Sequence, residues 1–269
     1  MTTHLSAATV TRLEKAAVDN GFDRELPRVR DWLAFTSTQT GLRVWLTATD
    51  DTLFQAALSQ PHVAAGLAEL SQPVETEMPD GAVAGCAVTS IPELHRLVRR
   101  AFQLSRTLPD ALLHRFEQQV ATLPFTTEAE RLVVQRIGQD LFREGLIDYW
   151  EGRCAITGLA VTELLRASHI KPWASCVSDA ERLDVFNGFL LAPNLDSAFD
   201  RGFISIADDG GVLVSATLTA DARRVLGLGL PLRVRQVEEG HRAYLRFHRE
   251  RVLIGPASAV PMIQGEGTG

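Results

Sequence analysis

Apolar positions recur at helical spacing over residues 6–19, and the segment "WLAFTSTQTGLRVWLTAT" then carries β-branched and aromatic runs on either side of Thr40-Gly41. The first pattern predicts a helix and the second a hairpin. Asp50 and Asp51 stand as N-cap residues before "TLFQAALSQ", whose spacing predicts a helix, and Pro61 opens another that ends near Ser71. "GAVAGCAVTS" predicts a returning strand, and "IPELHRLVRRAFQLSR" a helix with Pro92 in its first turn. These elements make an N-terminal mixed α/β domain over residues 1–110.

Two proline-bearing breaks, "TLPD" and "TLPFTTEAE", flank a helical piece and place a linker at 111–127. Thr127 and Glu130 form a T-x-x-E capping box that starts "EAERLVVQRIGQDLFREGLIDYW", with Val134, Ile137 and Leu141 at helical spacing. Its Arg131, Arg136 and Arg143 suit either a solvated helix face or phosphate contacts. A Gly-bounded turn "GRCAITG" follows. Then come an apolar "LLRASHIKPW", a polar loop "ASCVSDAERLDV", a strand-like "NGFLLAP" and a short helix "NLDSAFDRG". The order is strand, loop, strand, helix. A hairpin around Asp209-Gly210 and a tail of strand, helix and strand close a second domain over 128–269, and "QGEGTG" at the end is expected to be disordered. The whole is read as α+β.

Composition narrows the class. With 269 residues, 45% hydrophobic and 22% charged, the chain has room for one large or two modest cores. Its net charge of −6 gives no global attraction to nucleic acid or anionic membrane, so a nucleic-acid contact needs a local basic surface. Cys86, Cys154 and Cys176 are widely separated and lack any C-x-x-C, which fits a reducing compartment and packing roles. No stretch approaches ~18 consecutive apolar residues, and the N-terminus lacks a long apolar core. The expectation is a cytoplasmic protein with no membrane partner.

Chemistry concentrates around His169 in "RASHIKPW", one of seven histidines. Asn187 opens the second predicted strand, and Asp196 and Asp200 lie four apart, on one face of the short helix. Two such carboxylates repel unless a cation lies between them, and oxygen donors favour magnesium or manganese over zinc. The alternative is structural: Asp200 pairs with Arg201 or another surface base, and Asp196 caps the helix.

Taken together, "RCAITG…ASHIKPW…RLDVFNGFLLAPNLDSAFDRGFIS" resembles the HNH endonuclease family, in the branch with HIKPW, NG-x-LL and LD-x-x-FDRG elements, over residues 150–206. The resemblance implies a ββα-metal fold, with a C-terminal nuclease module of a restriction-type enzyme. It implies His169 as general base, Asn187 as the brace of the loop carrying it, and Asp196 and Asp200 as ligands of one divalent metal. An imidazole with pKa near 6.5 takes a proton from water at neutral pH. Better-known members, such as the nuclease colicins, have histidines where this chain has Asp196, Asp200 and Ser168. That difference shifts the expected metal to Mg2+ or Mn2+ and leaves Ser168 a poor third ligand.

Lys171, Arg153, Arg166 and Arg201 lie close in sequence to these residues and are the expected nucleic-acid contacts. DNA is the expected substrate and RNA stays open. A homodimer would pair two single-strand cuts, though no heptad supports one. His248 is a candidate for the edge of the site, with packing the favoured role. Trp32, Trp45 and Phe35 suit either a base pocket in the first domain or its core. The rival to a nuclease is a DNA-binding or regulatory protein whose HNH module no longer cuts.

Overall fold

A computed structural model describes residues 5–49, 52–68, 70–74, 77–107, 111–123 and 127–259. The expected N-cap at Asp50 and Asp51 and the expected disorder of residues 264–269 lie outside the described residues. The chain divides into two compact units, Met1–Ala111 and Leu112–Gly269.

The first unit is built on six strands. Helix α1 (Ala7–Val18) starts at Ser6, whose hydroxyl accepts from the Thr9 N–H, and it buries Leu13, Ala16 and Ala17. Strands β1 (Arg24–Val29), β2 (Trp32–Thr36), β3 (Arg43–Ala48) and β4 (Phe54–Leu58) follow. Helix α2 (Pro61–Ala65), β5 (Gln72–Pro73), β6 (Ala84–Val88) and helix α3 (Ile91–Thr107) complete the unit. The sheet order is β1-β2-β3-β4-β6-β5, antiparallel throughout. Because side chains alternate across a strand, Leu33, Leu46 and Ala56 share one face, and α1 and α3 cover that face.

Trp32, Ala34, Trp45 and Ala57 form a second cluster on the opposite face, with Met78 and Ala82 packed against it. Burial on both faces explains a correction. "TLFQAALSQ", expected as a helix, supplies the central strand β4, because a strand with two buried faces shows no alternation to read. Trp32, Trp45 and Phe35 are 7%, 3% and 2% exposed, and Phe35 lies on the other face from the two indoles. These rings are core and are not offered to a base.

The second unit begins with α4 (Ala111–Val120), so most of the expected linker is a helix, packed through Leu112, Phe116 and Val120. Helix α5 (Glu128–Tyr149) starts with the reciprocal Thr127–Glu130 capping box. Gly138 and Gly145 are where neighbours approach it: a Cβ would lie 2.3 Å from Leu112 at Gly145 and 2.8 Å from the Trp173 ring at Gly138. Strand β7 (Arg166–His169), helix α6 (Asp179–Leu183), strand β8 (Gly188–Leu191) and helix α7 (Pro193–Asp200) come next, in the expected order of strand, loop, strand and helix. β7 and β8 pair antiparallel, α7 packs on β7, and α5 lies against both strands. A three-stranded sheet of β9 (Ile204–Ile206), β10 (Val212–Ser215) and β11 (Ala257–Ala259) follows, with helices α8 (Ala220–Val225) and α9 (Glu239–Arg251) in its connections. α9 packs against β9 and a 3-10 turn at Val185–Asn187. The three cysteines are free and buried, and no helix among the described residues is long and apolar enough to cross a membrane.

Candidate active site

His169 ends β7, directly opposite Gly188 of β8. That pairing explains how an aromatic ring reaches the imidazole. A Cβ at Gly188 would sit 2.4 Å from Phe142 Cζ, so only glycine leaves room for Phe142 of α5, whose ring stacks on His169 at 3.8 Å and 16°. Trp173 adds an edge contact at 5.4 Å. Enclosed in this way, His169 loses hydration that its charged form needs, and its pKa falls to about 4, the hydrogen bond to Arg182 offsetting only part of the effect.

The ring is also held in one tautomer. Nε2 lies 2.9 Å from the Arg182 carbonyl oxygen, which can only accept, so Nε2 carries the proton. Nδ1 has no hydrogen-bond partner among the described residues and keeps its lone pair.

Asn187 is fully buried and ties the β7–β8 connection together. Its Oδ1 accepts from the Lys171 N–H at 2.7 Å, and its Nδ2 donates to the carbonyls of Glu181 at 2.9 Å and Lys171 at 3.3 Å. Its backbone carbonyl accepts from Ile170 N at 2.9 Å. One amide therefore joins the residues just after His169 to the segment containing Arg182.

Ser168 faces away from His169 along the strand, and its hydroxyl donates to Asp196 Oδ1. Asp200, one turn further along α7, has its pKa pushed up to about 6, first by desolvation and then by the charge of Asp196. Neither carboxylate has a salt bridge among the described residues, and α7 starts at Ala192 without a side-chain cap. Among the described residues Asp200 is not paired with Arg201, and the N-cap position is held by Ala192 rather than Asp196. No cluster of three or more His, Cys, Asp or Glu side chains suited to a metal occurs among the described residues. The donors present are two mutually repelling carboxylates and one hydroxyl. That set fits a hard cation that draws its other ligands from water or substrate.

The expected basic contacts separate into two kinds. Arg153, Arg166 and Arg201 are exposed and have no ion pair among the described residues. Lys171 differs from the expectation: its ammonium lies 2.7 Å from Glu181 Oε2 and 5.5 Å from the Phe247 ring centroid, with only 14% of its side chain exposed. Arg143 donates to the carbonyls of Leu165 at 2.6 Å and Thr162 at 2.9 Å, so it holds the turn before β7. His248 is buried behind α7, stacked on Phe199 at 4.0 Å and bonded to Ser205 Oγ and the Phe199 carbonyl, which is a packing role.

Phe142, Glu181 and the Arg182 carbonyl were not anticipated. Phe142 follows Leu141 on the apolar side of α5 and could have been found only by knowing which strand residue it meets. A backbone carbonyl leaves no trace in residue identity. With this geometry in place, a model of the HNH endonuclease family matches residues 154–207, which span β7, β8 and α7. No curated protein matches the chain.

Proposed function

We propose that the second unit is a metal-dependent DNA endonuclease of the HNH type, built on a ββα-metal arrangement of β7, β8 and α7. The observation that carries this reading is the imidazole of His169, fixed as an Nε2–H tautomer with Nδ1 free, on the strand whose preceding residue hydrogen-bonds one of two unneutralised carboxylates. His169 Nδ1 takes the proton of the attacking water. Burial keeps the ring neutral, and so able to accept, throughout the physiological range, but a pKa of about 4 also makes it a weaker base than the unperturbed imidazole expected from the sequence. Asn187 donates to the carbonyl of Glu181, the residue before Arg182, and through it helps to hold the Arg182 carbonyl that fixes the accepting nitrogen of His169.

Asp196 and Asp200 would hold magnesium or manganese, with Ser168 orienting Asp196 rather than serving as a full ligand. When bound, the ion supplies Lewis-acid stabilisation of charge developing on the phosphate and leaving oxygen. Arg153, Arg166 and Arg201 provide the local positive surface that a chain of net charge −6 otherwise lacks. The first unit is read as the target-recognition part of a restriction-type enzyme, an assignment by arrangement alone.

Incubation of the full chain with plasmid DNA in magnesium, manganese or EDTA tests the proposal. Cleavage should need metal, and His169→Ala should slow it roughly 10²–10⁴-fold, the usual contribution of a positioned general base. Near-wild-type cleavage by that variant would refute the role of His169. A second reading, a DNA-binding module that no longer cuts, has the donor set in its favour, since two carboxylates and a hydroxyl are fewer strong ligands than most metal sites possess. Metal-independent DNA binding without cleavage under any of the three conditions would select it.

A further inference from the structure

The β7–β8 connection is closed by an ion pair whose members flank the groups that set His169. Lys171 lies two residues after His169, and Asn187 engages both its N–H and its carbonyl. Glu181 directly precedes Arg182, whose carbonyl holds His169 Nε2. The Lys171 ammonium and Glu181 Oε2 are 2.7 Å apart, with side chains 14% and 27% exposed, and the same Oε2 accepts from Val177 N at 2.9 Å. A pair this shielded holds its geometry better than an exposed surface pair, and breaking it strands a charge that solvent reaches poorly.

Helix α9 backs this pair from outside the β7–β8–α7 segment. Phe247 lies against the Lys171 ammonium, and Tyr244 Oη donates to Asp184 Oδ2 at 2.9 Å, near the far end of the same connection.

We propose that Lys171 and Glu181 are a positioning pair for His169, backed by Phe247 and Tyr244, and that Lys171 makes no phosphate contact. The inference rests on the nuclease reading. Its logic is that Lys171 is fixed by Asn187 at the backbone and by Glu181 at the side chain. The ion pair therefore sets the distance between the end of β7 and the Arg182 carbonyl.

The two roles for Lys171 predict opposite results with Glu181. If the pair positions His169, Lys171→Met and Glu181→Gln should each lower kcat by about 10- to 100-fold, the usual scale for a misplaced catalytic group. KM and the salt dependence of binding should not change, and the charge-swapped double variant Lys171→Glu/Glu181→Lys should regain part of the lost kcat. If Lys171 instead contacts phosphate, Glu181→Gln should free it and tighten DNA binding, while Lys171→Met should flatten the salt dependence by about one contact with kcat intact. That outcome would overturn the proposal.

A readout independent of cleavage is the ¹⁵N NMR signature of the His169 ring, which reports which nitrogen is protonated. The wild-type ring should show the Nε2–H form alone, and both single variants should show mixed tautomers. An unchanged tautomer in both would overturn the positioning role. Failure of the wild type to cut DNA in magnesium or manganese would instead sink the nuclease reading, and the ring spectra would still decide the pair.

Discussion

Asp200 shows how a single charge ties stability to metal binding. Desolvation and the neighbouring Asp196 push its carboxyl up to about 6, above the 3.8 of an unperturbed group. The folded chain therefore binds this proton more tightly than the unfolded chain does. Stability from the protonated form is present below about 4 and is lost as pH rises through about 6. At pH 7 without metal the ionised carboxylate is a strain on the fold, so Asp200→Asn should leave the metal-free protein as stable or more stable. The gain is about 1 kcal/mol or less, because solvent reaches part of the side chain and screens the repulsion. The same variant should need more metal for cleavage. Apo melting temperatures and metal titrations on one preparation test both effects, and a destabilised apo variant with unchanged metal dependence would make Asp200 structural. Asn187 behaves in the opposite way. Its buried amide makes several hydrogen bonds within the β7–β8 connection, so Asn187→Ala should lower activity and stability together, the stability by about 1–3 kcal/mol.

Elements in the second unit are placed by where side chains are missing as much as by where they are. Gly202 ends α7 at φ +70°, and a Cβ there would lie 2.0 Å from the Val252 carbonyl oxygen. Its own carbonyl accepts from Ile254 N at 2.9 Å, so the end of α7 is locked to the segment after α9. Gly158 has a similar φ of +73° with nothing within 4 Å of the missing Cβ. Alanine at Gly158 should thus cost only the left-handed backbone term, about 1–2 kcal/mol, whereas alanine at Gly202 adds a backbone clash and should cost roughly 3 kcal/mol or more. Denaturant unfolding of the two variants checks this, and equal losses would show that the clash is relieved cheaply. The glycines also mark what was legible. The ribbon of β7 and β8 and helix α7 could be read because local spacing fixes them. β4 could not, because its two-sided burial erases the alternation that identifies a strand. Phe142 is a further case: the helix position was readable, but the meeting with His169 depends on Gly188, 46 residues later. Lys171 carries a charge that suits phosphate equally well on paper, and only the three-dimensional position of Glu181 decides its partner.

At the scale of the whole molecule, the response to acid follows from histidines that the fold keeps neutral. His169, His241 and His248 all have pKa values lowered to about 4, in each case chiefly by burial. His241 accepts the Glu238 N–H at Nδ1, so its proton sits on Nε2, which has no hydrogen-bond partner among the described residues. Protonating Nδ1 would break the capping contact at the start of α9. Unfolded histidines titrate near 6.5, so between about 6.5 and 4 the unfolded chain takes up protons that the folded chain refuses. The stability these groups contribute is complete above 6.5 and is lost as pH falls towards 4. Asp200 works against this over part of the window, gaining stability as pH falls, but it is one group against three. The chain should therefore lose stability steadily on acidification from pH 6.5, well above the range in which ordinary carboxylates titrate. Unfolding free energies at pH 7.5, 6.0 and 5.0 measure the slope directly. His241→Asn keeps an acceptor on the same side chain while removing one titrating ring, and because Asp200 already offsets part of the histidine effect it should reduce the slope between 6.0 and 5.0 by about half. A flat profile down to pH 5 would mean that the three imidazoles are not held neutral by the fold, and the tautomer on which His169 depends would lose its physical basis.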